Sequence, residues 1–451
     1  MSAQQGNEKL NVVELFAGVG GFRLGLEAVH GNPFQVTLSN QFEPSKKKQH
    51  ASEIYTWHWP HEAHINEDIA KVLESTVGQQ AVREAKPHLV VGGFPCQDYS
   101  VARPLSQSQG LGGKKGVLFW SITKLLEQRS ADGEPVPYLI LENVDRLLSS
   151  PASCRGRDFA VVLSALYSLG YAVEWRVINA ADYGYPQRRR RVFIVAYHTT
   201  TALHSRIKAA ARRQHSEWHS EGILNAALPS VLSSELDGCA PALGIQNDPF
   251  TEQLSYRPLS NGKPRFANSG FMCEGDVWTC ASRAGGIEDF TEFTGSAAAL
   301  TLADVIKKTG PVPTDFYVKS ESEAAWHAAK GAKTIAREKN GFAYDYSEGN
   351  MPFPDPLSKP ARTIITSEGG STPSRTKHCI REMSGLLRRL TPEELEELMG
   401  FPRGFTDLPK VSATTRAMLM GNALVVGIVT KIGEALYNAI QINNTATLTP
   451  S

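Results

Sequence analysis

The sequence predicts an α/β protein with a doubly wound, mostly parallel, Rossmann-like sheet and a second, smaller, irregular domain. In the first 200 residues, short apolar runs alternate with amphipathic helical patterns, as in sheets whose strands are joined by helices. After about His198 the regular pattern of apolar and polar residues ends, and Gly, Ser, Asn and Pro become frequent up to residue 365. A chain of 451 residues is also too long for one ordinary core.

The predicted elements follow each other in a regular order. Short apolar runs bounded by turn residues indicate buried strands, at Asn11–Phe16, Phe34–Leu38, His88–Val91, Tyr138–Leu141, Ala172–Ile178 and Val192–Ala196. Helices are predicted at Phe22–Val29, Val117–Gln128, Phe159–Leu169, Thr391–Met399 and Ala423–Ile440. The last helix is so apolar that we expect it to pack on the first domain. That domain then comprises residues 11–198 and 418–451, the second comprises 199–417, and 1–10 form a disordered tail.

Bulk composition excludes several classes of protein. The chain has 41% hydrophobic and 21% charged residues and a net charge of +1, which is typical of a globular protein. No run approaches the roughly 20 apolar residues of a membrane-spanning helix, and the polar N-terminus lacks the apolar core of a secretory signal. Six scattered cysteines without a C-x-x-C pair argue against disulfides and against zinc, so we expect no metal and a cytoplasmic location.

A glycine-rich turn, Phe16–Phe22, directly follows the first predicted strand. Glycines let the backbone approach a ligand closely, and the helix that begins there offers unpaired N–H groups. Turns of this kind serve NAD, FAD, phosphate and S-adenosylmethionine sites, or have only a structural role. The spacing is not G-x-G-x-x-G, which argues against a dinucleotide.

Two chemically competent side chains follow later strands. Cys96 lies within Gly92–Gln97, at the end of a predicted strand, where α/β sheets place their ligands. Glu142 follows the next strand and would point into the same crevice if the two strands are parallel. A thiol and a carboxyl there suggest nucleophilic and acid–base chemistry. An inert buried cysteine and a helix-capping acid are the structural alternatives.

Four consecutive arginines, Arg188–Arg191, precede the last predicted strand of the first domain. Because side chains alternate along a strand, Arg189 and Arg191 can face into a site while the other two face phosphate or solvent. A locally basic surface on a nearly neutral chain can bind nucleic acid. For the second basic group, Arg206–Arg213, a solvated helix face is an equally good interpretation.

These motifs, in this order, resemble those of the C5-cytosine DNA methyltransferase family of bacterial restriction–modification systems. The resemblance covers roughly residues 11–197 and 360–426. The motifs that carry it are the first-strand glycines, Pro95-Cys96-Gln97, Glu142-Asn143-Val144, Gln187 with Arg189 and Arg191, Leu390-Thr391-Pro392, Met399-Gly400-Phe401-Pro402 and Met420-Gly421-Asn422-Ala423. The resemblance implies a sequence-specific enzyme that transfers a methyl group from S-adenosylmethionine to C5 of a cytosine flipped out of duplex DNA. S-adenosylhomocysteine would be the product.

The resemblance also implies roles for individual residues. Cys96 would form a covalent bond with C6 of the cytosine. Glu142 would bind the N3 and amino edge and supply a proton at N3. Arg189 and Arg191 would hold the flipped base and position Glu142. The residues that would line the cofactor pocket are Phe16, Gly18, Gly20, Gly21, Gln41, Phe42, Asp68, Ile69, Pro95, Leu118 and Asn422.

Two residues depart from the family pattern. Gln41 stands where many relatives carry an acid that holds the ribose hydroxyls, so it would hydrogen-bond the ribose without a charge. Phe42 would still stack on the adenine. Glu14 stands where an aspartate is usual, which keeps the charge but lengthens the side chain. Residues 97–116 would form the mobile catalytic loop.

The resemblance implies a wider context. Residues 11–198 with 418–451 would form the catalytic and cofactor-binding domain, and 199–417 the target-recognition domain that reads base edges in the major groove. Candidates for DNA contacts are Arg265, Asn268, Arg362, Arg375 and His378, although phosphate or solvent contact is the simpler interpretation of each.

The implied partners are double-stranded DNA and a cognate restriction endonuclease that acts on the same site without a stable complex. We expect a cytoplasmic, nucleoid-associated monomer that binds no membrane. The alternatives are a tRNA cytosine-5 methyltransferase of the same family, a non-catalytic DNA-binding protein with this fold and an NAD-dependent oxidoreductase.

Overall fold

The computed structural model describes residues 9–94, 117–151, 153–213, 216–233, 243–260, 265–339 and 342–446. Its strands are β1 (Leu10–Leu15), β2 (Phe34–Asn40), β3 (His64–Ile65), β4 (Leu89–Gly93), β5 (Tyr138–Val144), β6 (Tyr171–Asn179), β7 (Arg190–His198), β8 (Ser230–Leu232), β9 (Leu243–Gly244), β10 (Ser269–Cys273), β11 (Asp276–Cys280), β12 (Ser282–Ala284), β13 (Lys333–Lys339), β14 (Phe342–Glu348), β15 (Ile380–Arg381) and β16 (Leu387–Arg388).

The α-helices follow in the same numbering. They are α1 (Gly21–Glu27), α2 (His50–His58), α3 (Ile69–Val72), α4 (Thr76–Ala85), α5 (Val117–Ala131), α6 (Arg157–Ser168), α7 (Ala202–Arg213), α8 (Glu217–Glu221), α9 (Ile223–Ala227), α10 (Pro249–Ser255), α11 (Thr291–Thr294), α12 (Leu302–Ile306), α13 (Glu323–Lys330), α14 (Pro392–Leu398), α15 (Ala413–Asn422) and α16 (Val426–Ala446). The chain divides into two compact units. Unit 1 comprises Met1–Asn179, Arg190–Glu288 and Val426–Ser451, and unit 2 comprises Ala180–Arg189 and Asp289–Val425.

The sheet of unit 1 is mixed, with a parallel half. Its strand order is β3-β2-β1-β4-β5-β7-β6-β10-β11-β9. From β3 to β5 all neighbours are parallel, whereas β7 runs antiparallel to both β5 and β6. The predicted α/β class with a parallel core is thus confirmed. The strand order reverses between β1 and β4, and such switch points are where open α/β sheets bind ligands.

All six strands predicted for the first domain are present. β1 and β5 are continuous apolar runs because their central residues are fully buried, as Val12, Val13, Leu139 and Ile140 show. The structure extends β5 to Val144, so Glu142 lies within the strand.

The sheet continues into a region where the sequence has few regular patterns. β10 pairs antiparallel with β6, for example through Ser269 and Arg176, and β11 then pairs with β10. Unit 1 therefore extends to Glu288, whereas the sequence pattern placed a boundary near His198. These strands have five residues each, too few to produce a clear period. That residues 199–417 recognise DNA stays a prediction.

The apolar C-terminal helix α16 packs on α1 within unit 1. A side chain at Gly25 would lie 2.6 Å from Val429, and one at Gly433 would lie 3.0 Å from Leu26, so two glycines allow a close approach of the helices. Among the described residues, the stretch Ala413–Ile442 is long and apolar enough to cross a membrane, but 61% of its most apolar window is buried. The packing of α16 identifies it as a core helix.

Unit 2 contains two short antiparallel ribbons, β13–β14 and β15–β16, and helices α11–α15. The predicted helix near residue 391 is α14, and its capping box joins Thr391 and Glu394. The same glutamate receives two hydrogen bonds of 2.8 Å from the buried guanidinium of Arg388. A bidentate ion pair of this kind fixes the orientation of both side chains at the start of the helix.

Candidate active site and cofactor pocket

Glu142 lies near the carboxyl end of β5, beside the end of β4. The parallel register pairs it with Gly93. A side chain at Gly93 would lie 3.3 Å from Oε2 of Glu142, so glycine leaves room for the carboxylate. Pro95 and Cys96 come two and three residues after Gly93, and both lie outside the described residues, as does the predicted catalytic loop. The Glu142 carboxylate is therefore next to a backbone position that is three residues before Cys96 in the chain.

Arg191 forms an ion pair with Glu142. Its Nε lies 2.8 Å from Oε1 of the carboxylate, and the two side chains are only 17% and 14% exposed. β5 and β7 are antiparallel with Arg191 opposite Val144, so Arg191 and Glu142 share one face of the sheet. An ion pair between side chains that are largely shielded from water restricts the orientation of the carboxylate. This is the placement expected if Arg191 positions Glu142, and the roles of both in catalysis stay predictions.

Asn143 connects β5 to the end of β4, a role that no sequence pattern predicts. Its side-chain amide donates to the carbonyl of Phe94 over 2.8 Å, and its Oδ1 accepts the N–H of Val144 over 2.8 Å. The side chain is buried. The bond from Asn143 ties Phe94, the residue before Pro95, to β5. It thus fixes the point at which the chain leaves β4 toward Cys96.

Arg189 belongs to unit 2 and binds backbone there. Its guanidinium is buried and donates to the carbonyls of Ile364 and Gly421, over 3.0 and 3.1 Å. β7 begins only at Arg190, so the argument from strand alternation does not extend to Arg189. The contacts of Arg189 identify it as a residue that joins chain segments of unit 2, and its contact with a flipped base stays a prediction.

The glycine-rich turn has the backbone that its sequence requires. Phe16, Gly18 and Gly20 have φ values of 56°, 57° and 91°, and α1 begins at Gly21. The positive φ at Phe16 is strained for a residue with a side chain, which is common at ligand sites. A side chain at Gly20 would lie 2.4 Å from the ring of Trp59, so only glycine fits there.

Gln41 supports this turn directly. Its Oε1 accepts the N–H of Gly18 over 2.8 Å, and its own carbonyl accepts the side-chain amide of Asn66 over 2.5 Å. The predicted role of Gln41 is to bind the ribose, and its bond to the turn leaves no signal in the sequence. Because Oε1 accepts that N–H, the amide nitrogen is the atom of Gln41 suited to donate to a ribose hydroxyl.

The remaining cofactor residues of unit 1 lie at the same edge of the sheet or beside it. Phe42 is the second residue after the end of β2 and is half-buried. Asp68 is the N-cap of α3, where one carboxylate oxygen accepts the N–H of Ala70 over 3.0 Å, and Ile69 begins that helix. Leu118 lies in the first turn of α5 and packs on the core. Pro95 lies outside the described residues, and Asn422 is the exposed last residue of α15, in unit 2.

Glu14 is fully buried behind the glycine-rich turn. The Tyr55 hydroxyl donates to its Oε2 over 2.9 Å, and the N–H of Arg23 donates to its Oε1 over 3.4 Å. Burial raises the pKa of the Glu14 carboxyl to about 7, although both hydrogen bonds lower it. The longer side chain at this position therefore connects β1, α1 and α2 beneath the turn.

The carboxyl end of the parallel strands has open space and aromatic surface that suit an adenosyl cofactor. A side chain at Gly18 would meet nothing within 4 Å, so the turn opens onto free space. The rings of Phe16 and Phe42, at the ends of neighbouring parallel strands, are half-buried and can offer apolar surface to a base. No group of three His, Cys, Asp or Glu residues that could hold a metal ion occurs in the part of the chain that the structure describes.

The buried cysteines among the described residues are poor nucleophiles. Burial raises the pKa of the Cys273 and Cys379 thiols to about 12. The thiolate is the reactive form, so these thiols are inert near neutral pH.

All five residues suggested for DNA contact have partners within the protein. Arg362 binds the buried Asp355 through two hydrogen bonds of 2.7 and 3.2 Å. Asn268 pairs with the backbone of Ser282 in both directions. His378 is fully buried and bonded to Glu368, and Arg375 binds Glu348 and two backbone carbonyls. Arg265 stacks on the ring of Tyr256. Sequence alone could not distinguish these internal bonds from surface charges.

Comparison with known proteins gives consistent results. The model of the family described as C-5 cytosine-specific DNA methylase matches residues 10–438. The Type II methyltransferase M.Sau3AI of Staphylococcus aureus is 40% identical over 97% of this chain and 97% of its own length. M.SsoII of Shigella sonnei, also a Type II methyltransferase, is 23% identical over 96% of this chain and 82% of its own length.

Solved structures support the fold. A Spodoptera frugiperda DNMT2 variant matches with a TM-score of 0.56 at 14% identity, over 95% of this chain and all of the other. Dnmt2 of S. pombe matches with a TM-score of 0.54 at 14% identity, over 96% of this chain and 99% of the other. Identities this low establish the shared architecture alone. The family match over nearly the whole chain establishes more: this protein belongs to the C-5 cytosine-specific DNA methylase family.

Proposed function

We propose that the protein methylates cytosine through a covalent bond to Cys96, with Glu142 and Arg191 as the groups that act on the ring edge. As a member of its family the protein is a DNA (cytosine-5-)-methyltransferase that uses S-adenosylmethionine. The finer assignment rests chiefly on one observation, the Glu142–Arg191 ion pair of 2.8 Å beside Gly93. Gly93, which the carboxylate adjoins, is three residues before the thiol in the chain.

The proposed chemistry follows from the weak nucleophilicity of cytosine C5. The Cys96 thiolate adds to C6 and pushes an electron pair into the ring, which makes C5 an enamine carbon. Glu142 hydrogen-bonds N3 and transfers a proton to it, so that the negative charge is neutralised as it develops. The bound cofactor supplies the electrophilic methyl group that C5 takes up. Loss of the C5 proton to water then restores the double bond and expels the thiolate, and the N3 proton returns to Glu142.

Several residues of unit 1 would each contact a different part of the cofactor. The N–H groups of the glycine-rich turn and the first turn of α1 would bind its polar groups. Phe42 would stack on the adenine, and Asp68 and Ile69 would line the adenine side. Gln41 holds the turn through its oxygen and would donate its amide hydrogens to the ribose. The resemblance to the family also assigns Asn422 to the cofactor pocket, and this assignment stays a prediction.

Trapping with 5-fluorocytosine tests the covalent step. Duplex DNA with this base at the target cytosine cannot lose a proton from C5, so the wild-type protein and S-adenosylmethionine should leave a stable protein–DNA adduct at Cys96. Cys96→Ala should give no adduct and no methylation while DNA binding persists. Cys154→Ala is the matched control, because Cys154 is a half-buried free thiol elsewhere in unit 1, and it should react like wild type. Efficient methylation without an adduct would disprove the mechanism.

The biological context follows from the relatives. The two curated relatives above are Type II methyltransferases, which are the modification enzymes of restriction–modification systems. We propose the same role here, in the bacterial cytoplasm, with a separate endonuclease that cuts the same unmethylated site. A monomer suffices, because one strand is methylated at a time. Bisulfite sequencing of DNA from a host that expresses the chain should report one modified sequence, and scattered or absent modification would contradict the proposal.

A further inference from the structure

The indole ring of Trp59 packs against the glycine-rich turn. Trp59 is the first residue after α2, and its N–H donates to the carbonyl of Tyr55 over 3.1 Å. A side chain at Gly20 would lie 2.4 Å from the Trp59 ring, so the ring lies directly against the turn at this residue. At Gly18, in contrast, a side chain would meet nothing within 4 Å. The turn therefore is open at Gly18 and is covered by an aromatic ring at Gly20.

Two residues of α1 hold the indole ring in place. The guanidinium carbon of Arg23 lies 4.6 Å from the centroid of the Trp59 ring, which is within the range of a cation–π contact. Nε1 of Trp59 donates to Oε2 of Glu27 over 3.3 Å, and Nε of Arg23 donates to Oε1 of the same carboxylate over 2.6 Å. Because Arg23 is buried, its charge is shielded from water and the contact with the ring is strengthened. The ring is thus fixed through both its face and its N–H.

Tyr55 connects Trp59 to the first strand. The centroids of the two rings are 4.7 Å apart. The Tyr55 hydroxyl donates to Glu14 on β1 over 2.9 Å and accepts a hydrogen bond of 3.4 Å from Arg23. Contacts from β1, α1 and α2 therefore converge on Trp59, and we call Glu14, Arg23, Glu27, Tyr55 and Trp59 the indole cluster.

The glycine-rich turn uses only some of its N–H groups within the protein. Those of Ala17, Gly18 and Gly20 donate to acceptors at distances of 2.8–3.0 Å. Those of Val19 and Gly21, on either side of Gly20, have no acceptor among the described residues. Their relative direction depends on the backbone angles of Gly20, whose φ is 91°. A residue that fixes Gly20 therefore also fixes where two available donors point.

We infer that Trp59 is a positioning residue for S-adenosylmethionine, because its ring holds Gly20 and the neighbouring N–H groups in the conformation that binds the cofactor. Glycine adopts positive and negative φ about equally well, so its surroundings must select one conformation. A turn that is ordered in advance avoids an entropy cost on binding. The inference rests on the proposed placement of the cofactor at this turn, and it assigns a role to a residue behind the pocket.

Replacement of Trp59 by leucine tests the inference. Trp59→Leu keeps an apolar side chain but removes the ring and its N–H, so the dissociation constant of S-adenosylhomocysteine, measured by calorimetry without DNA, should rise about tenfold. The KM for S-adenosylmethionine should rise in parallel, whereas kcat at saturating cofactor should stay close to that of wild type. Trp59→Phe should recover most of the affinity because it retains a ring. Trp57→Leu is the matched control, since Trp57 lies on the same helix and is 66% exposed, and it should bind like wild type.

Two measurements separate positioning from a general loss of stability. Thermal unfolding without cofactor gives the stability of each variant, and calorimetry is done well below its transition. A lower Tm with a wild-type dissociation constant in Trp59→Leu would mean a purely structural role and would overturn the inference. In a double-mutant cycle, Gly20→Ala should weaken binding less in the Trp59→Leu background than in wild type, because the ring that its methyl group meets is gone. Strictly additive effects would also overturn the inference.

Phe42→Ala distinguishes this inference from the proposed cofactor site. Phe42 would stack on the adenine and does not belong to the indole cluster. Weaker binding of S-adenosylhomocysteine by Phe42→Ala, together with wild-type binding by Trp59→Leu, would overturn only the role of Trp59. Unchanged binding by both variants would overturn the placement of the cofactor at this edge of the sheet, and the inference with it.

Discussion

Removal of the Arg191 side chain should impair catalysis much more than folding. The substitution removes an ion pair whose nitrogen and oxygen lie 2.8 Å apart, between side chains that are 17% and 14% exposed. Losing one partner of an ion pair costs about 1 kcal/mol when the pair is exposed and about 3–5 kcal/mol when it is fully buried. Because this pair is mostly shielded from water, we expect about 2.8 kcal/mol, and about 1.4 kcal/mol corresponds to a tenfold rate change. Arg191→Met should lower kcat about 100-fold.

The assay is transfer of a tritiated methyl group to duplex DNA, with kcat and the KM for DNA measured separately. Arg190→Met is the matched control, because Arg190 is the neighbour on the same strand, is 62% exposed and lies 3.4 Å from Asp145. It should keep its kcat within twofold, whatever its effect on KM. Arg191→Lys should recover part of the lost rate, since the charge returns without the planar geometry. If Arg191→Met turned over at the wild-type rate with saturating DNA, the ion pair would have no part in positioning Glu142.

Three further changes probe the pocket and unit 2. Gly20→Ala should weaken cofactor binding at least tenfold in calorimetry, because the new Cβ would lie 2.4 Å from Trp59. Gly133→Ala should leave binding unchanged, because Gly133 has a similar positive φ but open space around it. The pKa of Glu14 is raised to about 7, so its stabilising effect is present at low pH and lost as pH rises through 7. Glu14→Gln should therefore gain stability relative to wild type between pH 5 and 8, and parallel unfolding midpoints across that range would refute this. Arg189→Met should cost about 2–3 kcal/mol of unfolding free energy, because two buried carbonyls lose their donor; lost activity with unchanged denaturant midpoints would favour a catalytic role instead.

Local features of the fold, such as buried strands and tight turns, can be recognised in the sequence. Apolar strands such as β1 and β5 are recognisable because residues buried on both faces must be apolar along the whole run. The glycine-rich turn is recognisable because positive φ values at Gly18 and Gly20 exclude most other residues. The position of Glu142 at the end of a strand follows from the same patterns, since the parallel strands β4 and β5 end at one edge.

These sequence patterns could not predict contacts between distant segments of the chain. Neither Gln41 nor Asn143 carries a sequence signal for its bond to Gly18 or Phe94, because such bonds depend on strand register. The short strands of residues 269–280 gave no period, and only their pairing with β6 reveals that they extend the sheet.

The element order, the glycine-rich turn and the residue types that the chemistry needs can be predicted from the amino-acid order, because backbone conformation and burial restrict residue choice locally. Which arginine meets Glu142 and which charges are paired inside the protein become apparent only once the chain is folded. Those outcomes depend on strand register and on which partners the fold brings together, and a single sequence carries no distance information about either.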